Sequence, residues 1–410
     1  MTTFRGRMLR GRAVVAGAVF AVVAAVLSGD IAPPPDAGPI STGKQGARFY
    51  AVDQSAVAGP PGTLLRAQRL ASQPIQDATT WRVLYVSRDG AGQPIAVSGT
   101  VSIPQDRAPE AGWPVLSYGH GTTGVADQCA PSRATLSQQS MGSTPASSRI
   151  LREFTTEGFV VAQSDYEGLG TPGAHPYLDG RAEARGVIDI VRAAASLDER
   201  VSTRWVAVGY SQGAKAVVWA ADLADTYGHG LDLRGTVGIA PPHLSLGTDS
   251  KAYRRQAAAP RASTYLAMVL SGSAATDPSL EVRSLLTPQG WSRYHDLETR
   301  CVDELESDRA GPAGLTPSQF FKGTQAVDLI EKRERLTDAA NARPSGPVLL
   351  LSGGTDDVVP RRQVAELADL LDAHGASVTY RNYEWASHHT LPFQALPDIH
   401  AWITETLGST

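Results

Sequence analysis

Along the chain after residue 80, short runs of β-branched and apolar residues alternate with longer stretches in which apolar positions recur at helical spacing. The runs are Trp81 to Ser87, Ile95 to Ile103, Val115 to Tyr118, Phe159 to Gln163, Trp205 to Tyr210, Thr236 to Ala240, Val348 to Ser352 and Val378 to Tyr383. Their length and composition are those of strands. The helix-like stretches include Ala182 to Ala195, Ala214 to Ala224, Gln363 to His374 and Ala395 to Leu407. Strand and helix in repeated alternation require crossover connections, which are right-handed and leave the strands parallel. Between the first two runs, however, Arg88, Asp89, Gly90 and Gly92 signal a hairpin. The pattern predicts a doubly wound α/β architecture: a mostly parallel, eight-stranded sheet with an antiparallel start.

The alternation breaks between Pro242 and Pro347, where no run has the character of a buried strand and apolar periodicity marks helices near Tyr265 to Leu270 and Ala326 to Ile330. Residues 243–346 are therefore expected to be a helical cap inserted into a core formed by 47–242 and 347–410. At the other end of the chain, Arg5, Arg7, Arg10 and Arg12 precede an uninterrupted apolar run from Ala13 to Leu27. That run falls short of the ~20 residues that span a bilayer, and a basic start followed by a short apolar stretch is the pattern of a secretory signal peptide. Residues 1–29 are read as that signal and 30–46, rich in proline and small polar residues, as a linker. The protein is expected to be secreted.

Composition adds one exclusion. With 37 Lys and Arg against 41 Asp and Glu the net charge is -4, and no basic block is present to attract a phosphate backbone. Nucleic acid is not an expected partner.

The chemistry lies in Gly209-Tyr210-Ser211-Gln212-Gly213, a G-x-S-x-G pattern between the apolar strand Trp205 to Val208 and the helix-forming Ala214 to Val218. Strand, tight turn and helix in that order make the nucleophile elbow of the α/β-hydrolase fold, which exposes the serine hydroxyl. A serine needs a base to take its proton and a carboxylate to orient that base, in the chain order Ser, acid, His. Asp356, the first acid after the glycine turn Gly353-Gly354 that ends the run Val348 to Leu351, is the candidate acid, with Asp357 a turn or helix-capping residue. After the last run stand His388 and His389, of which His388 is the preferred base. Two backbone amides should receive the oxyanion. Gln212, directly after the nucleophile, supplies one, and Thr122, after the turn Gly119-His120-Gly121, supplies the other. His120 precedes the nucleophile and is read as bracing its turn. Asp165 to Gly170 lacks the alternating oxygen ligands of a calcium loop and is read as a buried turn.

Taken together, these residues resemble the secretory lipase family. The likeness rests on Phe49-Tyr50, Pro61 to Leu65, Gly112 to Val115, Gly119 to Gly124, Cys129 to Ser132, Ser164 to Gly170 and the elbow. It implies hydrolysis of acylglycerol or other carboxylic esters, a helical cap over the site, and no metal or organic cofactor. One position departs from the family pattern: Gln212 stands where members often carry glycine. The expected partners are an ester or lipid substrate and, transiently, a lipid interface, with no obligate protein partner. A peptidase or acyltransferase would use the same triad, and a binding protein on this scaffold would need none of it. Because an exported chain meets an oxidising environment, its only two cysteines, Cys129 and Cys301, are expected to form a disulfide.

Overall fold

In the computed structural model the described residues are 48–71, 74–133, 145–243 and 262–408. Residues 1–29 and 30–46, read above as a signal peptide and a linker, lie outside them. Among the described residues, nine strands form a single sheet in the order β1-β2-β3-β5-β4-β6-β7-β8-β9. The strands are β1 Leu64–Arg69, β2 Ala78–Arg88, β3 Pro94–Pro104, β4 Trp113–Gly119, β5 Val160–Ser164, β6 Val201–Tyr210, β7 Asp232–Ile239, β8 Pro347–Gly353 and β9 Ser377–Tyr383. From β5 to β9 every pairing is parallel, and β1, β2 and β3 add an antiparallel edge.

The expected count of eight strands is thus corrected to nine. The strand without a clear sequence signal, β1, reads Leu-Leu-Arg-Ala-Gln-Arg and has no β-branched residue. It is held by pairing with β2 and by Arg66, whose guanidinium donates to the carbonyls of Arg48, Phe49 and Ala51. Tertiary hydrogen bonds here outweigh a weak local preference.

The helices are α1 Pro145–Thr156, α2 Gly180–Leu197, α3 Gln212–Leu223, α4 Ala262–Thr276, α5 Val282–Leu285, α6 Pro288–Tyr294, α7 Val302–Ser307, α8 Pro317–Phe320, α9 Gln325–Thr337, α10 Arg361–Ala373 and α11 Leu391–Gly408. They cover both sheet faces. A side chain at Gly235 of β7 would meet Trp402 of α11, and one at Gly238, which an odd offset turns the other way, would meet Leu350 and Ala214 of α3. The buried strand residues and the inner stripes of these helices form one core, with Trp113, Trp205 and Trp219 among its largest buried side chains.

In the described part of 243–346, helices α4 to α9 pack around a second apolar cluster that includes Leu266, Met268, Leu270, Phe320, Phe321 and Ile330. Three hydrogen bonds join α9 to α3: Lys215 Nζ donates to Glu334 Oε2 at 3.1 Å and to Thr337 Oγ1 at 3.2 Å, and Trp219 Nε1 donates to the Thr337 carbonyl at 3.0 Å.

The elbow itself is built on close backbone approach. A Cβ on Gly213 would fall within contact distance of the Gly119 and His120 carbonyls, so only glycine lets α3 sit directly on the end of β4. Gly213→Ala is expected to cost about 1–3 kcal/mol through overpacking and to lower kcat by displacing Ser211. Thermal melts and ester turnover of the variant check both, and an unchanged melting temperature would refute the steric argument.

Candidate active site

β6 ends at Tyr210 and α3 begins at Gln212, leaving Ser211 in the turn with φ 54° and ψ -117°. A non-glycine residue at positive φ is strained. Here it is held by a hydrogen bond from the Ser211 amide to the Ile239 carbonyl (2.8 Å) and by the first turn of α3, where the Ala214 amide donates to the Ser211 carbonyl at 2.9 Å. The strained turn lifts the hydroxyl off the sheet towards the loops that follow β8 and β9.

The loop after β8 brings up Asp356. Its Oδ1 accepts the amides of Val358 (2.9 Å) and Val359 (2.8 Å), which fix the carboxylate, while Oδ2 lies 2.8 Å from His388 Nδ1. The side chain is wholly buried. From the loop after β9, His388 Nε2 then reaches Ser211 Oγ at 3.1 Å. With Asp356 accepting at Nδ1, the ring carries its proton there and presents a bare Nε2 to the serine, the tautomer a general base needs. Asp357 and His389 are both exposed, and His389 only meets the edge of the His388 ring.

One residue that fixes the base carries no signal in the sequence. Tyr210, immediately before the nucleophile, donates its hydroxyl to the His388 carbonyl (3.1 Å), and its ring lies 5.0 Å from the imidazole. The x position of the elbow pattern is silent on this, because the partner is distant in the chain and comes near only on folding.

Among the described residues neither the Gln212 nor the Thr122 amide has a backbone acceptor; that of Gln212 is an orphan donor of the first helical turn. Thr122 is anchored through its hydroxyl to the Tyr177 hydroxyl (2.8 Å). The carbonyl of the next residue, Thr123, accepts the Val302 amide at 2.9 Å, which ties this loop to α7. Cys129 and Cys301 form a disulfide with Cα atoms 5.4 Å apart, beside Gly124 of that loop.

His120 is buried, with Nδ1 2.7 Å from the Gly121 carbonyl and its ring stacked on Tyr166. Burial pushes its pKa down to about 4. Asp165 is also buried and accepts from Ser98 Oγ (2.6 Å), from the Ser132 amide (2.9 Å) and from Ser132 Oγ, which fastens the Asp165 to Gly170 turn to β3 and the 129–133 segment.

Comparison with known proteins places this geometry in a family. The family model described as Secretory lipase matches residues 136–409, more than half of the chain. The chain belongs to the secretory lipase family. This family member is similar to a protein of Mycobacterium tuberculosis named as a probable inactive lipase, with 27% identity over 84% of this chain and 78% of the relative. It is also 25% identical to a secreted triacylglycerol lipase of Malassezia globosa, over 84% of this chain and 77% of that one. Among solved structures, Candida antarctica lipase A in its closed state superposes with a TM-score of 0.75 at 21% identity, covering 88% of this chain and 86% of the other. That likeness establishes the fold, an α/β-hydrolase. In this family member the side chain of Gln212, the residue after Ser211 in the elbow, is buried.

Proposed function

We propose that the protein is a secreted esterase or lipase that hydrolyses acylglycerol-type carboxylic esters through a Ser211 acyl-enzyme. The observation that carries the reading is the continuous line from Asp356 Oδ2 through His388 to Ser211 Oγ, at 2.8 Å and 3.1 Å. His388 Nε2 takes the hydroxyl proton as Ser211 Oγ attacks the ester carbonyl. The carbonyl oxygen becomes an oxyanion facing the amides of Gln212 and Thr122, each such donor contributing on the order of 3 kcal/mol in the transition state. His388 then gives the proton to the departing alkoxide, leaving the acyl group on Ser211. Water enters, gives a proton to His388 and releases the acid by the same steps in reverse.

Residues 243–346 would act as the cap and line the acyl pocket. Support comes from their apolar cluster, which includes Tyr177, the residue that also bonds Thr122 in the oxyanion loop. An ester of a long acid needs more concave apolar surface than the end of a sheet offers. Chimeras that exchange this segment with a relative are expected to change the preferred acyl length in a series of nitrophenyl esters. An unchanged profile would remove the cap from the binding role. Export follows from the basic and apolar N-terminal pattern, with 1–29 as the signal peptide, and is checked by N-terminal sequencing of protein from the culture medium.

The central test is a fluorophosphonate probe. Covalent labelling at Ser211, together with turnover of nitrophenyl esters, is the expected result. A folded protein that takes up no label would overturn the enzymatic reading and leave a non-catalytic binding protein on this scaffold. The Mycobacterium tuberculosis relative is itself named a probable inactive lipase.

A further inference from the structure

Directly behind the oxyanion pocket, three buried polar side chains meet where an α/β core would ordinarily be apolar. Gln212 Nε2 lies 2.7 Å from Glu183 Oε1 and 3.0 Å from His175 Nε2. Glu183 Oε1 also accepts the Leu178 amide at 2.9 Å. His175 Nδ1 lies 2.8 Å from the Glu167 carbonyl. A carbonyl can only accept, so Nδ1 carries the hydrogen. Burial pushes His175 down to about 4, which leaves the ring neutral and Nε2 a bare acceptor. Both hydrogens of the Gln212 carboxamide are therefore committed, one to His175 and one to Glu183.

We propose that Glu183, with His175 beside it, is a positioning residue that fixes the backbone amide of Gln212 in the oxyanion pocket by holding the Gln212 side chain from behind. The inference rests on the Ser211 acyl-enzyme reading and deepens it. Two observations besides the hydrogen bonds support it. Glu183 shares the buried stripe of α2 with Val187 and Ile190, where an unpaired acid is costly and an apolar residue would pack. In addition, Gln212 Oε1 and Glu183 Oε2 are buried without a hydrogen-bond partner among the described residues, so the cluster is not arranged for stability alone. A glycine at position 212 would give its amide no such side-chain anchor.

Glu183 must be neutral for the arrangement to serve the oxyanion. Burial pushes its pKa up to about 8, against the pull of the Gln212 hydrogen bond and of Lys215, which is itself paired with Glu334. The other titratable groups facing it are His175, Tyr166, Tyr177 and Asp179. Burial holds His175 and both tyrosines neutral between pH 7 and 9. Ionisation of Glu183 in that range would set a negative charge one side chain away from the developing oxyanion and slow its formation.

The test compares Glu183→Leu and Glu183→Gln with the wild-type chain, using nitrophenyl butyrate and the rate of fluorophosphonate labelling. Misplacing one oxyanion donor is expected to lower kcat of Glu183→Leu by about 10- to 100-fold with KM within about twofold. Glu183→Gln keeps an acceptor oxygen and no charge, so it should restore kcat at pH 7 to within about threefold. Wild-type kcat should fall between pH 7 and 9, whereas that of Glu183→Gln should stay flat. A Glu183→Leu enzyme with wild-type kcat, or one whose loss lies wholly in KM, would overturn the inference while leaving the Ser211 reading intact. If Glu183→Leu does not fold, a Glu183→Gln enzyme that retains the wild-type alkaline fall would overturn it equally. A wild-type protein that Ser211-directed label does not modify would instead defeat the underlying reading.

Discussion

Replacing Ser211 with alanine is expected to lower kcat for nitrophenyl esters by about 10³- to 10⁶-fold, the range seen when a serine triad loses a member, while the melting temperature stays close to that of the wild type. His388→Ala should lose about as much, and Asp356→Asn somewhat less, on the order of 10⁴-fold. The three side chains form one hydrogen-bonded line, so the loss in the triple variant should hardly exceed that of Ser211→Ala alone. His389→Ala should change kcat by less than about threefold, because its ring is exposed and only touches the edge of His388. Steady-state kinetics and circular dichroism on the purified variants decide the matter. An active His388→Ala beside an inactive His389→Ala would reassign the base. Losses that multiply in the triple variant would show that the three residues do not act as one unit.

The second large effect is on stability. The Cys129–Cys301 disulfide closes a sequence separation of 172 residues. For a loop of that size the chain-entropy model gives a stabilisation of about 5 kcal/mol, an upper figure, since residual structure in the unfolded chain reduces it. The bond joins the turn after the oxyanion loop to the start of α7, parallel to the hydrogen bond between Val302 and Thr123. The double substitution Cys129→Ser with Cys301→Ser should therefore lower the denaturation midpoint and lower kcat as well, because the amide of Thr122 loses its brace. Urea unfolding of the variant and of the reduced wild-type protein measures the first effect, and ester turnover at a temperature where both remain folded measures the second. Equal midpoints would discard the entropic account. A lowered midpoint with unchanged kcat would separate the disulfide from the oxyanion loop.

Much of this molecule is determined locally and is legible as such. The strands from β2 onward are strongly patterned, and the elbow between β6 and α3 is a glycine-bounded turn where any side chain at Gly213 would force the backbone of β4 and α3 apart. Chain order and loop position then suffice to pick out Asp356 and His388, because in a parallel sheet the loops after successive strands gather at one end. Even the cysteine pairing needs only two cysteines and an oxidising compartment. What escapes the sequence depends on partners far apart in the chain. β1 exists because β2 and the carbonyls bound by Arg66 hold an unpromising segment extended. Tyr210 becomes a support for the base only when folding brings His388 beneath its hydroxyl, 178 residues away. Glu183 stands out in sequence only as an acid on the apolar stripe of a helix. Its meeting with Gln212 and His175 is a property of the packed core, where burial pushes the Glu183 pKa up and that of His175 down.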